Sequence, residues 1–254
     1  MIGIYFSGTG NSRYALETFL QEYEVNAKAV SIEDANVIDA IKEHQEIIFS
    51  YPVQYSTLPK ILRDFVTEHQ DMWKGKKVFA IATMGLFSGD GAGVLARLLQ
   101  KYGAEIIGGL HLKMPDSIGD EKALKRPLEE NQKLVEQAKI KIKNAVTNMK
   151  AGNPPQDGIG FLHRMAGLFG QRLYFGHKTK NYTDKLKIDS ERCIGCGKCA
   201  NLCPMQNIKM VNGTAQSGNQ CTMCYRCVNH CPKQAITLLG KRVVEQSVIE
   251  KYIN

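Results

Sequence analysis

MIGIYFSGTGNS, residues 1–12, runs a short apolar stretch straight into a turn of Ser, Gly and Thr. No basic stretch precedes it, and a glycine-rich turn stands where a cleavage site would be, so it reads as a first strand and not a signal peptide. The turn opens the next helical pattern. Ser7, Gly8, Thr9, Gly10, Asn11 and Ser12 thus gather backbone N–H groups, a helix N-terminus, hydroxyls and an Asn side chain at one point, which suits a phosphate. Arg13 stands where a dinucleotide fingerprint needs Gly, and the Lys-Ser/Thr of a P-loop is absent. The loop therefore reads as a mononucleotide phosphate site, although alone it is also what an ordinary helix cap looks like.

Outward from this turn, the first 115 residues alternate apolar runs with helical periodicity. Strands are expected over 1–6, 25–31, 46–51, 77–83 and 104–112. Helices are expected near 11–23, 34–44, 58–68 and 92–102, with a long one from about 120 to 150. The fold class is α/β, a doubly wound five-stranded parallel sheet. In that architecture ligands sit beyond the carboxyl ends of the strands. Two further loops fall there: Ser50-Tyr51-Pro52-Val53-Gln54-Tyr55, and Thr83-Met84-Gly85-Leu86-Phe87-Ser88-Gly89-Asp90. Their aromatics suit stacking on a flavin ring, and their small residues admit backbone amides to its polar edge. Taken singly, Tyr51, Tyr55 and Phe87 are also ordinary packing residues. With the first loop they make an FMN site of Ser7, Gly8, Thr9, Gly10, Asn11, Ser12, Pro52, Val53, Gln54, Tyr55, Thr83, Met84, Gly85, Phe87, Gly89 and Asp90.

The run Ala151-Gly152-Asn153-Pro154-Pro155-Gln156-Asp157-Gly158 concentrates turn formers, and a domain boundary is expected there. Residues 151–185 then form a linker. Within it Phe161, Met165, Leu168, Phe169 and Leu173 recur at helical spacing, with Arg164 and Arg172 among them. It reads as a connecting helix packed on a domain rather than a membrane-surface or partner-docking helix, because Gly160, Gly167 and Gly170 weaken it as a free-standing element. No segment reaches the roughly 18 uninterrupted apolar residues of a membrane span.

All eight cysteines of the 254-residue chain fall between Cys193 and Cys231. That is the distribution of reduced metal ligands and not of a disulfide framework, so the expected location is cytoplasmic. Cys193, Cys196, Cys199 and Cys203 recur 28 residues later as Cys221, Cys224, Cys227 and Cys231, and Pro204 recurs as Pro232. Each run reads C-x-x-C-x-x-C-x-x-x-C-P. Three closely spaced thiolates wrap three corners of a cube, and the fourth, in the two-cluster arrangement, crosses to the other cube. One [4Fe-4S] cluster is then expected on Cys193, Cys196, Cys199 and Cys231, the other on Cys221, Cys224, Cys227 and Cys203. Ile194, Ile208, Val228 and Ile236 would keep water from them. The alternative is two zinc knuckles, but zinc has no use for a third Cys at the same short spacing. His230, beside a complete ligand set, reads as solvated.

The formal charge of +8 lies wholly on residues 151–254. Eight thiolates and two oxidised cores lower it by about 4, and an FMN phosphate lowers it further, so the basic residues partly offset the cofactors. Nucleic-acid binding is not expected, since the aromatics do not interleave with basic residues in any recognisable module.

Residues 186–240 resemble the bacterial two-[4Fe-4S] ferredoxin family at all eight cysteines and both prolines, which implies a small α+β domain and low-potential one-electron transfer. Residues 1–150 resemble the flavodoxin family, with SGTGNS matching its phosphate loop of Ser/Thr-x-Thr-Gly-x-Ser/Thr. The chain is similar as a whole to the flavodoxin–ferredoxin fusions of anaerobic prokaryotes, which implies two [4Fe-4S] clusters and FMN. It departs from ordinary flavodoxins in lacking a Trp in the second loop; Trp73 reads as a packing residue. The domains expected are a flavodoxin-like FMN-binding domain over 1–150, the linker over 151–185, and the ferredoxin domain with a C-terminal tail over 186–254. The function expected is an electron relay between clusters, flavin and a redox protein partner or small-molecule acceptor. A flavin-dependent reductase fed by its own clusters, and a regulatory scaffold that the clusters only stabilise, are the alternatives. No Ser–His–Asp spacing, HExxH or second nucleotide unit is present.

Overall fold

A computed structural model describes residues 1–167, 169 and 183–253. Five strands, β1 (Ile2–Tyr5), β2 (Ala29–Ser31), β3 (Glu46–Pro52), β4 (Lys77–Met84) and β5 (Glu105–Lys113), form one parallel sheet in the order β2-β1-β3-β4-β5. β3 and β4 are buried along nearly their whole length, as both faces of a parallel sheet must be when helices cover them. α1 (Asn11–Tyr23) and α5 (Leu128–Lys150) cover one face, while α2 (Val37–Glu43), α3 (Lys60–Glu68) and α4 (Gly91–Lys101) cover the other. The order reverses between β1 and β3, and the crevice at that switch point opens beyond their carboxyl ends. Trp73 is fully buried, its indole N–H donating to the Val66 carbonyl at 2.9 Å, and is the packing residue expected.

Three segments depart from the sequence reading, the first being β2, which is confined to Ala29–Ser31 where a strand over 25–31 is expected. The long helix starts at Leu128 and not near 120, because Pro127 suits a helix start and the residues before it are used elsewhere. Val135, Ala138, Ile142, Ala145 and Val146 then bury one stripe of α5. In the linker, Gln156 bridges to Gly109 on the outer edge of β5, so the chain leaves the sheet by lengthening it. α6 (Phe161–Gly167) follows, with Phe161 at 71% and Leu162 at 80% exposure. Of the apolar stripe expected there, Leu168 and Leu173, like Arg172, lie outside the described residues.

The cysteine-rich part is a small α+β unit. β6 (Lys187–Ile188) pairs with β9 (Ile236–Thr237), β7 (Ile208–Val211) with β8 (Thr214–Ser217), and two short helices, α7 (Lys198–Leu202) and α8 (Arg226–His230), stand between. Ile208, Val228 and Ile236 are buried in its core as expected, whereas Ile194 is 59% exposed. His230 is half-buried and meets the Arg226 carbonyl at 2.9 Å. Beyond it the chain returns to the first domain: Ile249 and Tyr252 are buried among residues of α1 and α5. No helix among the described residues is long and apolar enough to cross a membrane.

Candidate cluster and flavin sites

Two cavities open inside the cysteine-rich unit. Cys193, Cys196, Cys199 and Cys231 line one; Cys203, Cys221, Cys224 and Cys227 line the other. The fourth cysteine of each run has therefore crossed to the partner set, because α7 and α8 carry it across the unit. Among the described residues no three His, Cys, Asp or Glu side chains stand close enough to share one ion; each set is spread around its cavity instead.

Backbone amides reach three of the sulfurs, from Asn207 to Cys203, Met223 to Cys221 and Ala235 to Cys231, each at 3.3 Å. Asn207 and Ala235 are equivalent residues of the 28-residue repeat. Such N–H bonds stabilise thiolate ligands and help set a cluster's potential. Burial pushes Cys227 well up and Cys224 up to about 12, so the bare thiols hold their protons and a positive metal core is needed to draw them off. The donor sets fit iron–sulfur clusters.

At the switch point lies a third cavity of about 190 Å³. The first loop brings Ser7, Gly8, Thr9, Asn11 and Ser12 to it, the second Pro52, Val53, Gln54 and Tyr55, and the third Thr83, Met84, Gly85 and Phe87. Ser12 and Thr83 share a 2.7 Å hydroxyl bond, and Ser50 donates to the Ser12 carbonyl, which fixes the first loop to the strand ends. The Ser7 hydroxyl and Asn11 Oδ1 are buried with no hydrogen-bond partner among the described residues. The Ser7 and Thr9 carbonyls accept hydrogen bonds from Arg226 and Ile249. A buried unsatisfied hydroxyl beside a helix start fits a phosphate. Tyr55 and Ser56 both take positive φ, 48° and 56°, in a turn that glycine or asparagine usually fills. Such strain is the mark of a loop shaped for a ligand.

Gly10 does not line the cavity: it starts α1 in the left-handed conformation. Gly89 and Asp90 stay outside it too. Gly89 packs against Gly167, and the Asp90 carboxylate, fully buried, pairs with Arg97. Sequence reasoning missed two other walls. Pro115, Asp116, Ser117 and Ile118 come from the loop after β5, with burial raising the Asp116 carboxyl above its ordinary range. Met223, Cys224 and Tyr225 come from the second cysteine run.

The cysteine-rich unit is thus part of the cavity. Gln54 Nε2 donates to the carbonyls of Thr222 at 2.9 Å and Met223 at 3.1 Å. Arg226, which opens α8 between Cys224 and Cys227, holds Glu33 at 2.8 and 2.6 Å and the Ser7 carbonyl at 2.8 Å. Planar bidentate pairing of this kind fixes orientation as well as distance.

Residues 2–105 match the flavodoxin domain family, and residues 185–232 match the 4Fe-4S dicluster domain family. Ferredoxin-2 of Desulfomicrobium norvegicum is 46% identical over 28 residues, which are 11% of this chain and about half (48%) of that one. Among solved structures, the two-electron reduced flavodoxin of Megasphaera elsdenii is similar at 23% identity, over 58% of this chain and 99% of that one, with a TM-score of 0.43. The flavodoxin of Fusobacterium nucleatum bound to flavin mononucleotide is similar at 18% identity over 60% and 98%, with a TM-score of 0.41. The chain thus joins a flavodoxin domain to a 4Fe-4S dicluster domain in one polypeptide, a flavodoxin–ferredoxin fusion.

Proposed function

We propose that the chain is an internal electron relay, in which two [4Fe-4S] clusters exchange single electrons with an FMN bound at the switch-point cavity. The observation that carries this reading is the position of Cys224. It lines the cavity of the second cysteine set and the flavin cavity alike, and packs against the flavodoxin core. The cluster on Cys203, Cys221, Cys224 and Cys227 would then be the one next to the flavin. The cluster on Cys193, Cys196, Cys199 and Cys231, with Cys196 exposed, would face the redox partner. When bound, the flavin supplies a store for one or two electrons. The chain's own residues hold it: the first loop takes the phosphate, the second and third loops border the ring, and the cysteine unit closes the cavity. Residues 1–150, 151–185 and 186–254 serve as flavin domain, linker and cluster domain, with residues 247–253 returning to the flavin domain.

Anaerobically prepared protein should contain two four-iron clusters with matching labile sulfide and one FMN per chain, identified by metal analysis and by the mass of the extracted flavin. Zinc in place of labile sulfide would sink the cluster assignment.

The relay itself is tested by kinetics. Because the two centres share a chain and a cavity wall, their meeting is intramolecular, and its rate is set by docking and not by protein concentration. After rapid reduction of the clusters, the rate of flavin reduction should stay constant as protein concentration is varied. A rate rising in proportion to concentration would mean transfer between molecules.

A further inference from the structure

The two cysteine runs superpose in register, and the register sets Gly195 against Met223 and Gly197 against Tyr225. All four residues adopt the left-handed conformation, with φ of 68° and 70° at the glycines and 55° and 60° at Met223 and Tyr225. A tight loop that aims three thiolates inward requires this backbone twice. Glycine adopts it without a steric penalty, whereas a long or aromatic side chain is strained there. The first run therefore uses the unstrained solution, and the second run, built for the same task, does not. Strain of this kind persists where the side chain does something the backbone alone cannot.

Both strained residues line the flavin cavity. Tyr225 is 4% exposed, and its hydroxyl donates to Asp120 Oδ1 at 3.0 Å. The carbonyl of Met223 is held by Gln54, from the second loop of the flavodoxin part. In the first run a Cβ on Gly197, the equivalent of Tyr225, would meet nothing within 4 Å, whereas one on Gly195, the equivalent of Met223, would meet the Gly213 carbonyl oxygen at 2.3 Å. The bulk is present only on the run that faces the cavity. It also stands where the second loop offers no tryptophan to cover a ring.

We propose that Met223 and Tyr225 are flavin-contacting residues lent by the cluster domain, so that the flavin site is complete only when the second cluster holds its loop in shape. The inference rests on the reading above that FMN occupies this cavity. It makes cluster and flavin binding mutually dependent. A ligand loop of this size keeps its conformation only with its metal, and linkage requires that whatever the cluster does for FMN, FMN does for the cluster.

The test uses the whole holoprotein under anaerobic conditions, comparing wild type with Met223→Gly, Tyr225→Gly and the size-conserving Met223→Leu. Three quantities are read: iron content, resistance of the cluster absorbance to a chelator, and the FMN dissociation constant from flavin fluorescence. Met223→Gly relieves backbone strain, so iron content should be full and chelator resistance, compared with FMN removed from both proteins, equal or better. FMN should nevertheless bind about tenfold more weakly to each glycine variant, and near normally to Met223→Leu. Added FMN should slow the loss of iron from the wild type. FMN affinity unchanged in both glycine variants overturns the proposal, as does loss of iron from Met223→Gly, which would show that the side chain serves the cluster and not the flavin. A wild type that binds no FMN removes the reading on which the proposal rests, and is told apart from these by the unmutated control.

Discussion

Replacing Gly8 by Ala should disconnect the clusters from the flavin while leaving both cofactor domains folded. A Cβ on Gly8 would lie 1.9 Å from the carbonyl oxygen of Cys224 and 3.0 Å from its carbon. The obstacle is backbone, and the backbone of a cluster ligand, so no side chain can swing aside. The residue's own conformation is open to alanine, so no backbone strain adds to the contact; because Gly8 also lines the flavin cavity, FMN affinity is measured beside the rate. To restore ordinary separation the two domains must part by more than an ångström along this line. That weakens the Arg226 bond to the Ser7 carbonyl and the Gln54 bonds to Thr222 and Met223, all made across the same seam. Overpacking of this kind costs about 1–3 kcal/mol, equivalent to a loss of about 5- to 150-fold in the closely docked population. Flavin reduction after rapid cluster reduction should slow by a corresponding factor and begin to depend on protein concentration. Cluster content should be unchanged, since the domains part as units and Cys224 moves with the rest of its cysteine set. A Gly8→Ala protein that reduces its flavin at the wild-type, concentration-independent rate would show that the seam is not the route.

What the sequence made legible is what local patterning controls. The parallel sheet followed from apolar runs of strand length separated by helical periods, and the turn between β1 and α1 from residues adjacent in the chain. The crossing of Cys203 and Cys231 to the opposite cavity was expected from the two-cluster arrangement that the spacing of each run matches. The walls that sequence reading missed are set by distant segments. Nothing local tells Pro115–Ile118 that Asn11 will donate to the Pro115 carbonyl across 104 positions. Nor does the C-terminal segment announce that Ile249 will pack against α1. One signal was available: in the repeat, Met223 and Tyr225 occupy positions where the first run has glycine, and a turn position filled by a strained residue points to a use for its side chain. The start of the long helix was misplaced for a related reason. Asp120 and its neighbours have helix-compatible polarity, but their side chains and carbonyls are committed to the other domain.

That commitment gives the second large effect, at Asp120. The residue is 4% exposed, and its carboxylate accepts three hydrogen bonds from the cluster domain: the Tyr225 hydroxyl at 3.0 Å on one oxygen, and the backbone amides of Leu238 at 2.6 Å and Leu239 at 3.0 Å on the other. The adjoining Gly119 carbonyl takes the amides of Val244 and Glu245, and the Ser117 carbonyl takes the Asn229 side chain. Asp120→Ala would leave two amides and a hydroxyl buried at the seam without an acceptor. Each such donor costs about 1–3 kcal/mol when water cannot reach it, so even with partial relaxation the substitution should destabilise the holoprotein by about 3 kcal/mol or more. Asp120→Asn should cost less. Its one oxygen can accept both amides, and its NH2 can donate to the Tyr225 oxygen, with the hydroxyl proton turned away. The order wild type, Asn, Ala is therefore expected in the denaturant midpoint followed through cluster absorbance. The same order is expected in flavin affinity, because Asp120 fixes Tyr225 against the flavin cavity. If the alanine variant unfolded within about 0.5 kcal/mol of the wild type, the ordinary scatter of surface substitutions, the seam would not be held together by this carboxylate. If stability fell but flavin affinity did not, Asp120 would hold the domains without positioning Tyr225 for the cofactor.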